Sequence, residues 1–215
     1  NTASSSIKKQ EGTYKDIYFN YGLNYDLRNS TFNPTKGSFY NFRQELPVVS
    51  KNNELSNTFV YTKYHELNKS TEMIGRASLY LKAINTIDGS DVRVSKRAPI
   101  PYNRLRGFEK GKVGPVDTND YIGGNYVSTL NLSTNIPNIL PTLENFDFNY
   151  FIDFANAWGV DYNSSLDNSK IRSSTGIGLN VLTPIGPLSF SLTQPITKAS
   201  SDKTESFRFN LGTTF

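Results

Sequence analysis

Apolar and polar residues alternate in steps of two along most of this chain. At the C-terminus Phe207, Phe209, Leu211, Thr213 and Phe215 fall on one side, and Ser206, Arg208, Asn210, Gly212 and Thr214 on the other. Phe146, Phe148, Tyr150, Ile152 and Phe154 alternate with Asp147, Asn149, Phe151 and Asp153. Tyr126, Leu130 and Leu132 alternate with Asn125, Thr129, Asn131 and Ser133. Ile177, Leu179 and Val181 alternate with Gly176, Gly178 and Asn180; Leu188, Phe190 and Leu192 alternate with Ser189, Ser191 and Thr193. Nearer the N-terminus, Ile17, Phe19, Tyr21, Leu23 and Tyr25 oppose Asn20, Gly22, Asn24 and Asp26. Tyr40, Phe42 and Leu46 oppose Asn41, Arg43 and Glu45, and Ala77, Leu79 and Leu81 oppose Arg76, Ser78 and Lys82. This is the period of a strand whose two faces meet different surroundings. It predicts about nine strands of about ten residues, the length a tilted strand needs to cross a bilayer. Helical periodicity is absent.

The segment 58–67 reads either way. A lipid-facing Lys near mid-membrane costs about 2–4 kcal/mol, so Lys63 and His65 are expected inside, with Val60, Thr62 and Tyr64 outside. The connections also alternate. Those at 29–37, 68–72, 135–144 and 183–187 are compact; those at 49–57, 85–121, 159–170 and 197–205 are mostly longer and polar. Short turns at one end and long loops at the other describe an outer-membrane barrel. A soluble β-sandwich also alternates, but its inner face would mix Val, Ile, Leu and Ala. Here one face is rich in Phe and Tyr, and the other in Asn, Ser, Thr and Gly. The expected fold is therefore all-β, an antiparallel transmembrane β-barrel, with residues 1–12 a polar loop and 13–215 the barrel.

Composition narrows the chemistry. The 215 residues hold no Cys, one His and one Met. That removes thiol chemistry, disulfide scaffolds and zinc sites built from Cys or several His. No metal or cofactor is expected. No run approaches the ~18 apolar residues of a membrane helix. The formal charge of +4 is too small and scattered to argue for nucleic acid. Residues 1–10 have no Met and no apolar core, so they are not a signal peptide; the chain reads as cut from something longer. No paired carboxylates, activated nucleophile or phosphate loop points to an enzyme. Trp158 near a strand end fits an interfacial aromatic.

The loop at 85–121 stands out, because loops this long are usually functional or disordered. It contains Arg104-Leu105-Arg106-Gly107-Phe108 and is followed by Ile122-Gly123-Gly124-Asn125 at a strand opening. With Tyr25-Asp26-Leu27-Arg28 before Asn33-Pro34-Thr35-Lys36-Gly37, this resembles the barrel domain of the BamA-type outer-membrane assembly factors, the bacterial surface antigen family. Phe151-Ile152-Asp153-Phe154-Ala155, Gly176-Ile177-Gly178, Pro184 to Leu188 and the closing Phe207 to Phe215 extend the resemblance over nearly the whole chain.

The resemblance implies about sixteen strands, of which this chain would supply the last nine, without the periplasmic POTRA domains. It implies that Arg106, Gly107 and Phe108 fold into the lumen, with Arg106 on Asp153 of the wall. Ala155 stands where the family has Gly, and Asn131 where many members have Glu. It also implies a seam between first and last strands, a hinge at Gly212, and an outer-membrane sorting signal in Phe207, Phe209, Leu211 and Phe215. The implied partners are unfolded outer-membrane β-barrel clients, periplasmic assembly lipoproteins and outer-membrane lipid. The implied setting is the outer membrane of a Gram-negative bacterium, with the C-terminus periplasmic. A two-partner secretion pore of the same superfamily and a small passive pore or adhesin barrel are the alternatives.

Overall fold

Each alternating stretch forms a strand. The computed structural model describes residues 3–31, 33–136, 146–167, 170–183 and 186–211. Among the described residues eleven strands run in chain order: β1 (Ile17–Asp26), β2 (Gly37–Val49), β3 (Glu54–Asn68), β4 (Met73–Thr86), β5 (Val116–Asp117), β6 (Asp120–Tyr121), β7 (Tyr126–Asn135), β8 (Phe146–Trp158), β9 (Arg172–Thr183), β10 (Gly186–Thr197) and β11 (Phe207–Leu211). Nine of them form one sheet, ordered β1-β2-β3-β4-β7-β8-β9-β10-β11, and every pairing in it is antiparallel. β5 and β6 make a separate small hairpin inside the long connection between β4 and β7. Among the described residues no pairing joins β1 to β11.

The two faces differ as the alternation predicts. The bare face carries Phe19, Leu23, Tyr25, Leu81, Leu130, Ile177, Leu192 and Phe209, all exposed. Its aromatics meet across strands: the Tyr40 and Tyr61 rings are 4.8 Å apart and the Phe190 and Phe209 rings 5.1 Å, contacts that stabilise neighbouring strands. The other face is covered at the long-loop end by the long connection 87–125, while Asn20, Gly22, Asn24 and Asp26 of β1 stay exposed. At the long-loop end this covered face is not uniformly wet. Ile84, Val127, Ala155 and Ala157 of the wall pack against Val92, Ala98, Ile100, Leu105, Phe108 and Val113 of the connection.

Three features depart from the expectations. Thr62, not Lys63, lies on the covered face: it is buried and shares a 3.0 Å hydrogen bond with Ser78. Its register partner is Ser78, while Lys63 and His65 pair with Ala77 and Gly75 on the bare face. The physical reason is position. Lys63 and His65 lie among the last six residues of β3, toward the turn to β4, and the cost of a lipid-facing charge falls to about 0–1 kcal/mol near an interface. Second, the polar opening segment contains a short helix, α1 (Ser5–Lys9), whose N-cap is Ser4. Third, β3 begins at Glu54, so the β2–β3 link is only residues 50–53 and is shorter than the β1–β2 link. The remaining links at the same end, 87–125, 159–171 and 198–206, are long.

Candidate functional site

Register builds the wall of the site before any loop arrives. Asn131 on β7 lies across from Asp153 on β8, and Asp153 lies across from Ser174 on β9. One row further, Phe151 faces Gly176, and Gly176 faces Thr193 on β10. A Cβ at Gly176 would come within 2.8 Å of Phe151 Cζ and 2.1 Å of the Leu192 carbonyl. Only glycine leaves room there for the Phe151 ring, which forms the floor.

The loop tip lies on this floor. The Arg106 guanidinium sits 3.4 Å from the Phe151 ring centroid. It donates through Nε to Asp153 Oδ2 at 2.7 Å and through Nη2 to Oδ1 at 2.8 Å, and the Arg106 amide donates to Oδ2 at 3.2 Å. Asn131 Nδ2 donates to Asp153 Oδ1 and to the Arg104 carbonyl, both at 2.8 Å. Ser174 Oγ donates to the Arg106 carbonyl at 2.6 Å. The Arg106 and Asp153 side chains are 4% and 0% exposed. Such a dry pair costs about 3–5 kcal/mol when one partner is removed; a solvated pair would cost about 0–1 kcal/mol.

Gly107 turns the tip with φ +85, and a Cβ there would meet Thr193 Cγ2 at 2.6 Å. Phe108 follows it into the apolar cluster and is almost fully buried. Phe207, Phe209 and Leu211 lie exposed on the bare face. Gly212 and Phe215 lie outside the described residues.

Four more buried arginines fasten the same connection, and sequence reasoning missed all of them in this role. Arg208 on β11 donates to the carbonyls of Tyr102, Leu105 and Phe108, at 2.5, 3.2 and 2.7 Å, and through Nε to Glu205 at 2.5 Å. Its guanidinium also stacks 3.6 Å from the Tyr102 ring centroid. Arg172 and Asp202 form a pair with Nε–Oδ2 at 2.9 Å, both side chains 0% exposed. Asp202 in turn accepts from the Gly114 amide at 3.3 Å. Arg97 pairs with Asp161, which also accepts from the Val92 amide at 2.7 Å. Arg93 bridges Glu54 at 2.6 Å and Asp16 at 2.8 Å. The Arg93 guanidinium holds the Asp16 carboxyl below the usual carboxylate range, and those acids raise the pKa of Arg93. The available signal was parity: Arg172 and Arg208 are charges on a wall face that carries few.

The opening segment closes over this end. Ser4 donates its amide to Asp120 at 2.8 Å, Ser6 donates to Asp117, and the Val94 amide donates to Gln10 Oε1 at 2.8 Å. The connection is therefore fixed toward both margins of the sheet, through Arg93 to Asp16 just before β1 and through Arg208 on β11. The arrangement is one of buried charge pairs and carbonyl contacts around a packed plug. Among the described residues no group of three or more His, Cys, Asp or Glu could hold a metal ion.

The full length of the chain, residues 1–215, matches the family model of the Omp85 superfamily domain. An outer membrane protein assembly factor BamA of Neorickettsia risticii is 28% identical over 142 residues, covering 64% of this chain and 19% of the relative. A SAM50-like protein of Schizosaccharomyces pombe is 27% identical over 215 residues, covering 93% of this chain and 44% of the relative. The sorting assembly machinery 50 kDa subunit of Saccharomyces cerevisiae is 27% identical over 225 residues, covering 99% and 46%. The crystal structure of BamA from Haemophilus ducreyi lacking POTRA domains 1–3 superposes with a TM-score of 0.83 at 27% identity, covering 91% of this chain and 42% of that one. The chain thus spans less than half the length of these relatives.

Proposed function

This chain belongs to the Omp85 superfamily, and from that membership we propose that it is the C-terminal barrel region of an insertase that folds β-barrel clients into an outer membrane. The fold is that of a BamA-type barrel region, and its setting is an outer membrane. Clients enter at a seam beside the last strand, where an unpaired edge is a template for strand addition. The observation that carries the reading is the tie between loop and last strand: Arg208 of β11 holds three carbonyls of the loop whose tip is fixed by Arg106 and Asp153.

In this mechanism no covalent chemistry occurs. Arg106, Gly107 and Phe108 anchor the loop, while Asp153 and Asn131 orient it through charge-assisted hydrogen bonds. The anchored loop sets the position of β11. Gly212 is the hinge that the family resemblance implies, glycine having no side chain to pack. Phe207, Phe209, Leu211 and Phe215 serve as the chain's own sorting signal, and the C-terminus faces the periplasm, where assembly lipoproteins bind. A translocation pore of the same superfamily is the alternative, and the terminal sequence Leu211 to Phe215 leans toward assembly over secretion.

The test uses the full-length protein in cells that depend on it. Arg106→Ala lowers the level of folded outer-membrane clients severalfold. Exchanging the charges, Arg106→Asp with Asp153→Arg, restores part of that level. Normal client levels in the Arg106→Ala strain would remove the loop from the mechanism.

A further inference from the structure

The bare face holds a groove that the insertase reading leaves unused. It has a volume of about 360 Å³ and runs over β3, β4, β7 and β8. Its floor is made by Gly75 and Ala77 of β4, two successive small residues on that face of the strand. Leu132, Tyr150 and Ile152 form one wall, and Lys63, His65 and Leu67 the other. Register explains the shape. Ala77 lies between Lys63 and Leu132, and Gly75 lies between His65 and Thr134. Leu67 leans over the glycine, so close that a Cβ there would meet its side chain at 3.1 Å.

The chemistry of the lips is uneven. One wall is aliphatic and aromatic. The other carries an exposed ammonium and an imidazole, and no carboxylate lines the groove. Lys63 makes no ion pair among the described residues. β3 has 15 residues where about 9–11 suffice to cross hydrocarbon. On this reading its last six residues, Lys63 to Asn68, lie at headgroup depth, where a lysine can reach phosphate while its stem lies along apolar surface. A cation beside an apolar trough at this depth is complementary to an anionic amphiphile.

We propose that this groove is a binding site for one anionic phospholipid, its acyl chain over Gly75 and Ala77 and its phosphate on Lys63 and His65. The inference rests on reading the turn end of β3 as the membrane interface, not on the loop mechanism. It places the lipid on the middle of the wall, with four strands between its floor on β4 and β11.

The full-length protein reconstituted in nanodiscs of phosphatidylcholine with a minority of phosphatidylglycerol provides the test. Native mass spectrometry counts the lipids retained after release. The wild-type protein keeps phosphatidylglycerol in preference to phosphatidylcholine. Lys63→Gln with His65→Gln loses that preference at least fivefold. Ala77→Leu, which fills the floor and leaves the charge unchanged, loses retained lipid of both kinds. Wild-type retention in both variants would overturn the site. Loss in Ala77→Leu alone would overturn the headgroup assignment. Heat-modifiable mobility on gels reports insertion separately: proteins that fail to shift would sink the lipid-embedded wall itself, and this site with it.

Discussion

Arg106 is held through its side chain, its amide and its carbonyl at once, so its two kinds of hold can be separated by substitution. Asp153→Asn keeps the shape but leaves a buried guanidinium without its charge partner. It should destabilise the folded barrel by about 3–5 kcal/mol, seen as a lower melting temperature of the full-length protein. Arg106→Met with Asp153→Leu removes both charges and fills similar volume; such exchanges are often near neutral for stability. The Arg106 amide and Asn131 Nδ2 then lose their acceptor on Asp153, which costs about 1–3 kcal/mol, so we expect melting between Asp153→Asn and wild type together with deficient client assembly, which would assign the ion pair to orientation more than to bulk stability. Gly107 makes a second case. Its φ of +85 and the 2.6 Å approach to Thr193 are independent costs for any side chain. Gly107→Ala should therefore increase proteolysis of the loop, and adding Thr193→Ala should recover only part of the protection, because the left-handed backbone still costs about 1–2 kcal/mol.

At the scale of the element, the described part of β11 is held both by strand pairing and by side-chain contacts to the loop. It pairs with β10 over Leu188 to Leu192, and its Arg208 reaches the loop backbone. Arg208→Gln should speed hydrogen exchange of the β10–β11 amides and of residues 102–108 together, by tenfold or more, while β7 and β8 stay protected. Exchange unchanged at β11 would separate the strand from the loop. The strands themselves were readable because a bare face of Phe and Tyr and a covered face of Asn, Ser and Gly differ at every second residue. The parity of β7, β8 and β11 likewise sorts Asn131, Asp153 and Arg208 onto one face. β3 was not readable by the same rule. Its face contrast is weak, and the cost of Lys63 depends on depth, which one strand's sequence does not give. The connection was opaque for a different reason: Val92, Ile100, Leu105 and Val113 have no fixed period, and their contacts are to strands far away in sequence. The partners of Arg93, Arg97 and Arg172 are set by that packing.

Across the whole molecule, the covered end is a lattice of carboxylates and arginines, so acid should loosen it. Hydrogen bonds from Arg93 and Ser6 hold Asp16 and Asp117, respectively, below the usual carboxylate range. A carboxyl lowered in the fold stabilises it fully above its unfolded value, about 3.9, and that contribution is lost as pH falls through the lowered value. Pepsin, which works in acid, should therefore leave residues 85–121 intact near pH 5 and cut them increasingly below about pH 4. Cleavage independent of pH over that window would contradict the assignment. The order in which these groups leave the ribosome carries a further consequence. Asn131, Asp153, Ser174 and Arg208, which hold the tip or its flanks, all follow Arg106 along the chain. The loop is therefore made before its berth, and contacts so distant in sequence form slowly. Completing its stowage is a late event in the protein's own maturation, and a chain ending before β9 would lack the Ser174 and Arg208 contacts that finish the docking.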